Sequence, residues 1–209
     1  PERRDEALRA RWGLRPEALA VIHLGRIAPE KNLALAVRAF RELQKQQPEA
    51  RFVWVGDGPS REQLARENPD FVFCGIQRGE ALARHFASAD LFLFPSRTET
   101  YGNVTLEALA SGVPTIAFDS GAAREYLRDG QHGAAVRDGR DGDEAFVRAT
   151  LHIAGDLRLL GAMRMAAREA VASLRPGQVA ADFDTILQGL AHSRNAHEHA
   201  PAASTTAHE

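Results

Sequence analysis

Short unbroken apolar runs alternate along this chain with longer stretches in which apolar residues recur every three or four positions. Ala20–Leu24 (AVIHL) is the first run and stops at Gly25. Leu33, Ala36, Val37, Phe40 and Leu43 then recur at helical spacing, so 33–43 reads as an amphipathic helix laid on a sheet. Arg51–Val55 (RFVWV) is the next strand, ended by Gly56-Asp57-Gly58-Pro59, and Ser60 with Gln63 has the form of a capping box opening a helix. Phe71–Cys74 reads as a third strand, Glu80–Ala89 as a helix, Asp90–Phe94 as a strand stopped by Pro95, Val104–Ala110 as a helix and Val113–Phe118 as a strand. Ala122–Leu127 reads as a short helix and Gly133–Val136 as a last strand.

The strand runs carry no polar alternation, which is the mark of strands covered on both faces. Strands alternating with helices predict an α/β fold, a Rossmann-like doubly wound parallel sheet with helices on both sides. The opening PERRDEALRARWGL reads as a charged helix leading into the first strand, and it starts with Pro1, as a piece cut from a longer protein would. From about Asp143 onward only helical patterns appear, the last with Phe183, Ile186, Leu187 and Leu190 on one stripe. The small, polar stretch after His192 has no periodicity and reads as a disordered tail, in which His197, His199 and His208 are incidental. The expected organisation is one domain over 1–191 and a tail over 192–209.

Composition adds exclusions. With 44% hydrophobic residues among 209, the chain can bury a core of ordinary domain size. A net charge of −2, with no basic run, argues against a nucleic-acid partner. Cys74 is the one cysteine, so neither an internal disulfide nor a cysteine zinc site can form, and a reducing, cytoplasmic setting is expected. No apolar run is long enough to span a bilayer. There is no GxSxG elbow and no P-loop lysine. His23, His85 and His152 fall inside regular elements and read as structural.

In a doubly wound sheet, ligands sit beyond the carboxyl ends of the strands, so the loops after Leu24, Val55, Cys74, Phe94 and Phe118 are the ones to search. The loop after Phe94 continues into a helix as PSRTETYGNVTLEALASG, with Glu99 and Glu107 separated by seven residues and Gly102-Asn103 between them at the helix start. A helix start presents free N–H groups and partial positive charge, which suit a phosphate. Carboxylates repel phosphate, so the two glutamates should meet hydroxyls, as an acidic residue meets ribose in dinucleotide sites. Hydroxyls on both sides of a phosphate describe a nucleotide sugar. After Leu24, GRIAPEKN places Arg26 and Lys31 around an Ala28-Pro29 turn, a fork and a point charge able to clamp a diphosphate, with Glu30 as a competing partner. The GDGPSR loop has Arg61 where a dinucleotide fingerprint needs its third glycine, and it follows the second strand; a Rossmann dehydrogenase is rejected, and a turn that requires glycine accounts for most of it. The loop Gly75-Ile76-Gln77-Arg78-Gly79 offers backbone groups suited to a base edge, but its residues alone do not select that role.

The segments HLGRIAPEKN, VGDGP, the FCG turn, ADLFLFPSRTETYGNVTLEALASGVPTIAF and SGAAREYLRDGQHGAAV together resemble the carboxyl-terminal domain of the family-four, group 1, retaining glycosyltransferases of the GT-B fold. The resemblance is close over roughly 21–136, and its most specific element is the Glu99/Glu107 pair. It implies a hexosyltransferase whose donor is a UDP- or GDP-sugar, with Arg26, Lys31 and Glu99 as the catalytic groups. It further implies that Arg26, Lys31, Gly102, Asn103 and Val104 bind the diphosphate, Glu107 the ribose, Glu99, Thr100 and Tyr101 the sugar, and Gly75, Ile76, Gln77 and Arg78 the base. No cofactor and no metal are expected, the cations and the helix start taking that part. Two departures stand out. The amino-terminal domain that binds the acceptor, whether glycan, lipid or small molecule, and through which such enzymes can meet a membrane, is absent from this sequence. Gln77 stands where an apolar residue is expected, which leaves the base open. A GT-B-fold sugar-nucleotide epimerase and a non-catalytic nucleotide-sugar-binding module are the competing readings.

Overall fold

A computed structural model describes residues 4–174 together with Gly177 and Thr185. Pro1–Val171 form one compact unit and Ala172–Glu209 a second. The stripe at Phe183–Leu190 and the tail after His192 lie outside the described residues, apart from Thr185.

The described elements run α1 (Glu6–Arg11), β1 (Ala20–Leu24), a 3-10 turn at Pro29–Lys31, α2 (Leu33–Gln46), β2 (Arg51–Val55), α3 (Arg61–Glu67), β3 (Val72–Phe73), α4 (Gly79–Ser88), β4 (Leu91–Phe94), α5 (Asn103–Ala110), β5 (Thr115–Phe118), α6 (Gly121–Tyr126), β6 (Gly133–Val136), α7 (Gly142–Ala154) and α8 (Leu157–Ala170). The strands form one six-stranded sheet in the order β3-β2-β1-β4-β5-β6, and every pairing is parallel. Ile22 pairs with Val53 on one side and with Phe92 on the other, so β1 and β4 are the central pair.

Burial on both faces explains the unbroken apolar runs. On one face Phe40 of α2 stacks on Phe52 of β2, and Phe146 of α7 lies against Phe118 of β5. On the other, Phe86 of α4 meets Phe92 of β4 edge-on. Each such ring removes enough apolar area from water to contribute about 1.5–3 kcal/mol.

Several boundaries differ from the sequence reading, among them Phe71 and Val113, which precede β3 and β5, and α2, which runs on to Gln46; three local details have clear reasons. Asp90 is not in β4; its carboxylate accepts the Ala20 N–H and so ties the start of β4 to β1. Ser60 precedes α3 but makes no side-chain capping bond, because its backbone is helical rather than extended, so the expected capping box is not formed. Cys74 is half-buried and follows β3, its N–H bonded to the Trp54 carbonyl.

Candidate functional site

The chain reverses direction across the sheet between β1 and β4, and the crevice at such a switch point is where open α/β sheets bind ligands. The loops at its two sides are the two stretches singled out by sequence, Gly25–Asn32 after β1 and Pro95–Gly102 after β4. Two contacts join them. Lys31 Nζ donates to Glu99 Oε1 at 2.5 Å, and Asn32 Nδ2 donates to the Pro95 carbonyl at 3.3 Å.

Arg26, Lys31, Glu99 and Val104 line a cavity of about 380 Å³ whose floor includes His23 and Phe94. An adjoining cavity of about 290 Å³ shares Leu24, Gly25 and Arg26 with it and runs between Gly56-Asp57 and Ile76-Gln77. Of the expected site residues, Arg26, Lys31, Glu99, Val104, Ile76 and Gln77 thus line a trough of two cavities with a shared wall, whereas Gly75, Arg78, Thr100, Tyr101, Gly102, Asn103 and Glu107 line neither. A larger cavity of about 540 Å³ lies by Ala18, Leu19 and Asp90, at the amino ends of β1 and β4, away from all of these groups.

The wall between the trough and β2 is built by glycine. The N–H of Gly25 bonds the Val55 carbonyl, that of Ile27 the Asp57 carbonyl, and that of Gly56 the Gly75 carbonyl. A Cβ at Gly56 or Gly58 would overlap the carbonyl oxygens of Gly25 and Ile27, so the GDGP loop needs both glycines to let three loops zip together. This accounts for the motif without any phosphate contact. Asp57 Oδ1 closes the turn by accepting the Gly58 N–H at 2.8 Å.

At the other wall, Gly102 caps α5 in the left-handed region, at φ 83° and ψ 49°. No side chain caps this end and no acidic residue occupies the first turn, so the N–H groups of Asn103 and Val104 keep no partner among the described residues. The loop before it is held by side chains. Arg97 pairs with Asp138 and with Asp143, the latter at 2.5 Å, and lies 4.3 Å over the Phe118 ring. The Tyr101 hydroxyl donates to Glu125 at 3.1 Å, and the Tyr101 carbonyl accepts the Ala122 N–H at 2.6 Å. Neither Arg97 nor the α6 contacts were visible in the sequence reading, since their partners lie 41 and 24 residues away in the chain.

The expected cations are present but occupied. Arg26 pairs with Glu30 at 3.2 Å and is well exposed, while Lys31 pairs with Glu99 where both side chains are largely covered, at 21% and 15% exposure. Glu107 is exposed and its carboxylate has no hydrogen-bond or ion-pair partner among the described residues; the protein around its carboxyl removes enough water to raise its pKa. Ile76 is 61% exposed, Gln77 Nε2 turns back to the Cys74 carbonyl at 2.7 Å, and Arg78 precedes α4 in the open. Thr100 is exposed, and Tyr101, whose pKa is pushed up to about 12 first by desolvation and then by Tyr126 and Glu125, stays protonated.

His23, expected to be structural, is buried in β1 and lines the first cavity. Its ring lies 4.6 Å from Trp54, Nδ1 bonds the Leu93 carbonyl at 3.1 Å, and burial holds its pKa down to about 4, so it is neutral. Nδ1 must then carry the proton, leaving Nε2 as a buried acceptor with no partner among the described residues. His85 is buried in α4 against Trp12, and His152 is exposed on α7. No helix among the described residues is long and apolar enough to cross a membrane.

A family model described as "Glycosyl transferases group 1" matches residues 18–156. A GDP-mannose-dependent alpha-mannosyltransferase of Mycolicibacterium smegmatis is 38% identical over 174 residues, covering 82% of this chain and 43% of that protein. The sulfoquinovosyl transferase SQD2 of Arabidopsis thaliana is 38% identical over 136 residues, 64% of this chain and 26% of that protein. The chain thus spans less than half the length of these relatives. Among solved structures, sucrose-phosphate synthase from Thermosynechococcus elongatus superposes with a TM-score of 0.76 at 23% identity, covering 91% of this chain and 50% of that one. The C-terminal domain of a group 1 family protein from Francisella tularensis superposes at 0.67 with 19% identity, covering 82% of this chain and 94% of that domain.

Proposed function

The chain belongs to the group 1 glycosyl transferases and has a Rossmann-like fold shared with GT-B proteins, and from that premise we propose that it is the carboxyl-terminal, donor-binding half of a retaining enzyme that transfers a sugar from a nucleoside-diphosphate sugar. One observation carries the reading: at the switch point, a lysine and a glutamate from separate loops meet beside an uncapped helix start.

In this reading Lys31, Arg26 and the N–H groups of Asn103 and Val104, with Gly102 giving close backbone approach, hold the diphosphate. Glu107, exposed and with a carboxylate that has no partner among the described residues, accepts from the ribose hydroxyls. Glu99 accepts from hydroxyls of the transferred sugar, with Thr100 and Tyr101 beside it. The base lies along Gly75–Arg78, where the second cavity opens. As the glycosidic bond breaks, negative charge grows on the departing diphosphate, and positive groups already aimed there stabilise the transition state without a metal or other cofactor. A relative named as GDP-mannose-dependent, and a solved neighbour of the same fold, the pneumococcal O-GlcNAc transferase GtfA in complex with UDP and GlcNAc, support a GDP- or UDP-linked donor. The acceptor, a glycan, a lipid or a small molecule, is assigned to the part of the relatives that this chain does not span, as is any contact with a membrane surface. A lone Cys74 fits a cytoplasmic setting.

A thermal-shift panel of UDP, GDP, ADP and their sugars tests the reading. One nucleotide class should raise the melting temperature, while the chain alone should show little or no transfer. Stabilisation by none of them, or robust transfer by this chain alone, would contradict it; an epimerised product would favour the isomerase reading.

A further inference from the structure

Resting on that reading of the site, we infer that the Lys31–Glu99 ion pair makes the site select a nucleotide that still carries its sugar over the bare nucleoside diphosphate. The same two groups that should grip the two parts of the donor pair with each other, at 2.5 Å and largely covered from water. Neither has a second partner to fall back on among the described residues. Arg26 is engaged by Glu30, and His23 beneath them is held neutral by burial, so neither offers Glu99 a replacement cation.

A diphosphate entering the trough draws Lys31 away. Glu99 is then left as a partly buried carboxylate with no counter-charge, beside a ligand that is itself anionic. Breaking a covered pair by removing one partner is costly because the other charge stays behind. A bare diphosphate brings nothing to quiet Glu99. A sugar-bearing nucleotide brings hydroxyls, and two neighbouring hydroxyls can donate to both carboxylate oxygens as Lys31 leaves. The sugar and diphosphate subsites are therefore coupled through one ion pair: filling the first lowers the cost of filling the second. The same coupling weakens the hold on the spent nucleotide once its sugar has gone, which favours product release.

Calorimetric titration with UDP, UDP-glucose, GDP and GDP-mannose tests this on the wild type and on Glu99→Gln, which keeps the shape of the side chain and removes its charge. In Glu99→Gln the diphosphate of the binding pair should tighten, on the order of tenfold, the range of a close charge pair. The matching sugar nucleotide should tighten much less or weaken, so the ratio of the two dissociation constants collapses. Glu99→Asp, which keeps the charge, should not tighten the diphosphate. Lys31→Met should weaken both ligands. An unchanged or weaker diphosphate affinity in Glu99→Gln overturns the inference alone, as does an equal tightening of both ligands, which would reflect simple removal of negative charge. No binding of any of the four by the wild type overturns the donor-site reading and this inference with it.

Discussion

Two clusters of charge sit at opposite ends of β1 and β4, and they are built on opposite terms. At the amino end, Asp90 accepts from Arg9 at 2.9 Å, from the Ala20 N–H at 2.8 Å and from Arg164 at 3.1 Å, with Arg4 at 3.6 Å. Arg9, 1% exposed, also donates to the carbonyls of Ser88 and Ala18. Every charge there is shared among several partners, and the cluster stitches α1, α8 and the two central strands together. At the carboxyl end, among the described residues, the Glu99 carboxylate has Lys31 alone, Arg26 has only exposed Glu30, the Glu107 carboxylate has no partner and no side chain caps the α5 start. Charge shared among several partners marks a structural joint, even though Arg9 Nε itself makes no hydrogen bond among the described residues; singly paired or unpaired charge at a switch point marks a place kept open for a ligand.

Substitutions should separate the two ends. Arg9→Met should have the largest effect, a loss of about 3–5 kcal/mol in chemical denaturation, because it takes one cation from Asp90 and removes the donor from the Ser88 and Ala18 carbonyls, at about 1–3 kcal/mol for each buried group left unpaired. The protein that remains folded should bind nucleotide as the wild type does; weaker binding would mean the two ends are not separate. Next comes His23, whose folded pKa of about 4 lies below its ordinary 6.5. Below pH 6.5 the unfolded chain takes a proton that the folded one refuses. Its stabilising contribution is thus whole above pH 6.5 and falls away towards pH 4, by about 3 kcal/mol. His23→Phe, which keeps a ring against Trp54, should flatten that part of the pH–stability curve, and an unchanged curve would contradict the assignment. Glu107→Ala should cost about 1–3 kcal/mol of nucleotide affinity by calorimetry, the range for a hydrogen bond to a charged group, and almost nothing in stability. Smallest is Ser60→Ala. A capping serine would lose about 0.5–2 kcal/mol, but this one makes no capping bond, so the melting curve should barely move.

The contrast also explains what could be read from the chain before folding. The parallel sheet was legible because burial on both faces leaves unbroken apolar runs such as AVIHL and DLFLF, and β1, β2 and β6 fall where those runs do. The two site stretches were legible because each carries its chemistry locally, Glu99 and Glu107 flanking a glycine-opened helix start, Arg26 and Lys31 flanking a turn. What joins them was not. The Lys31–Glu99 pair spans 68 residues, and the Arg9–Asp90 joint spans 81, and no local pattern announces a partner at that range. The Ser60 cap failed for the converse reason, since a local motif was overridden when the backbone N–H of Ser60 was drawn to Ile27 across the loops.

Amide hydrogen exchange on the chain, with and without saturating UDP-glucose and GDP-mannose, bears most directly on the claim that the carboxyl-end charges form the donor site. Protection should appear at 25–32 and 102–105, on the two sides of the switch point, and not at 18–20 or 88–91 around Asp90. Protection centred on Asp90, or none at either end with any ligand, would contradict the account.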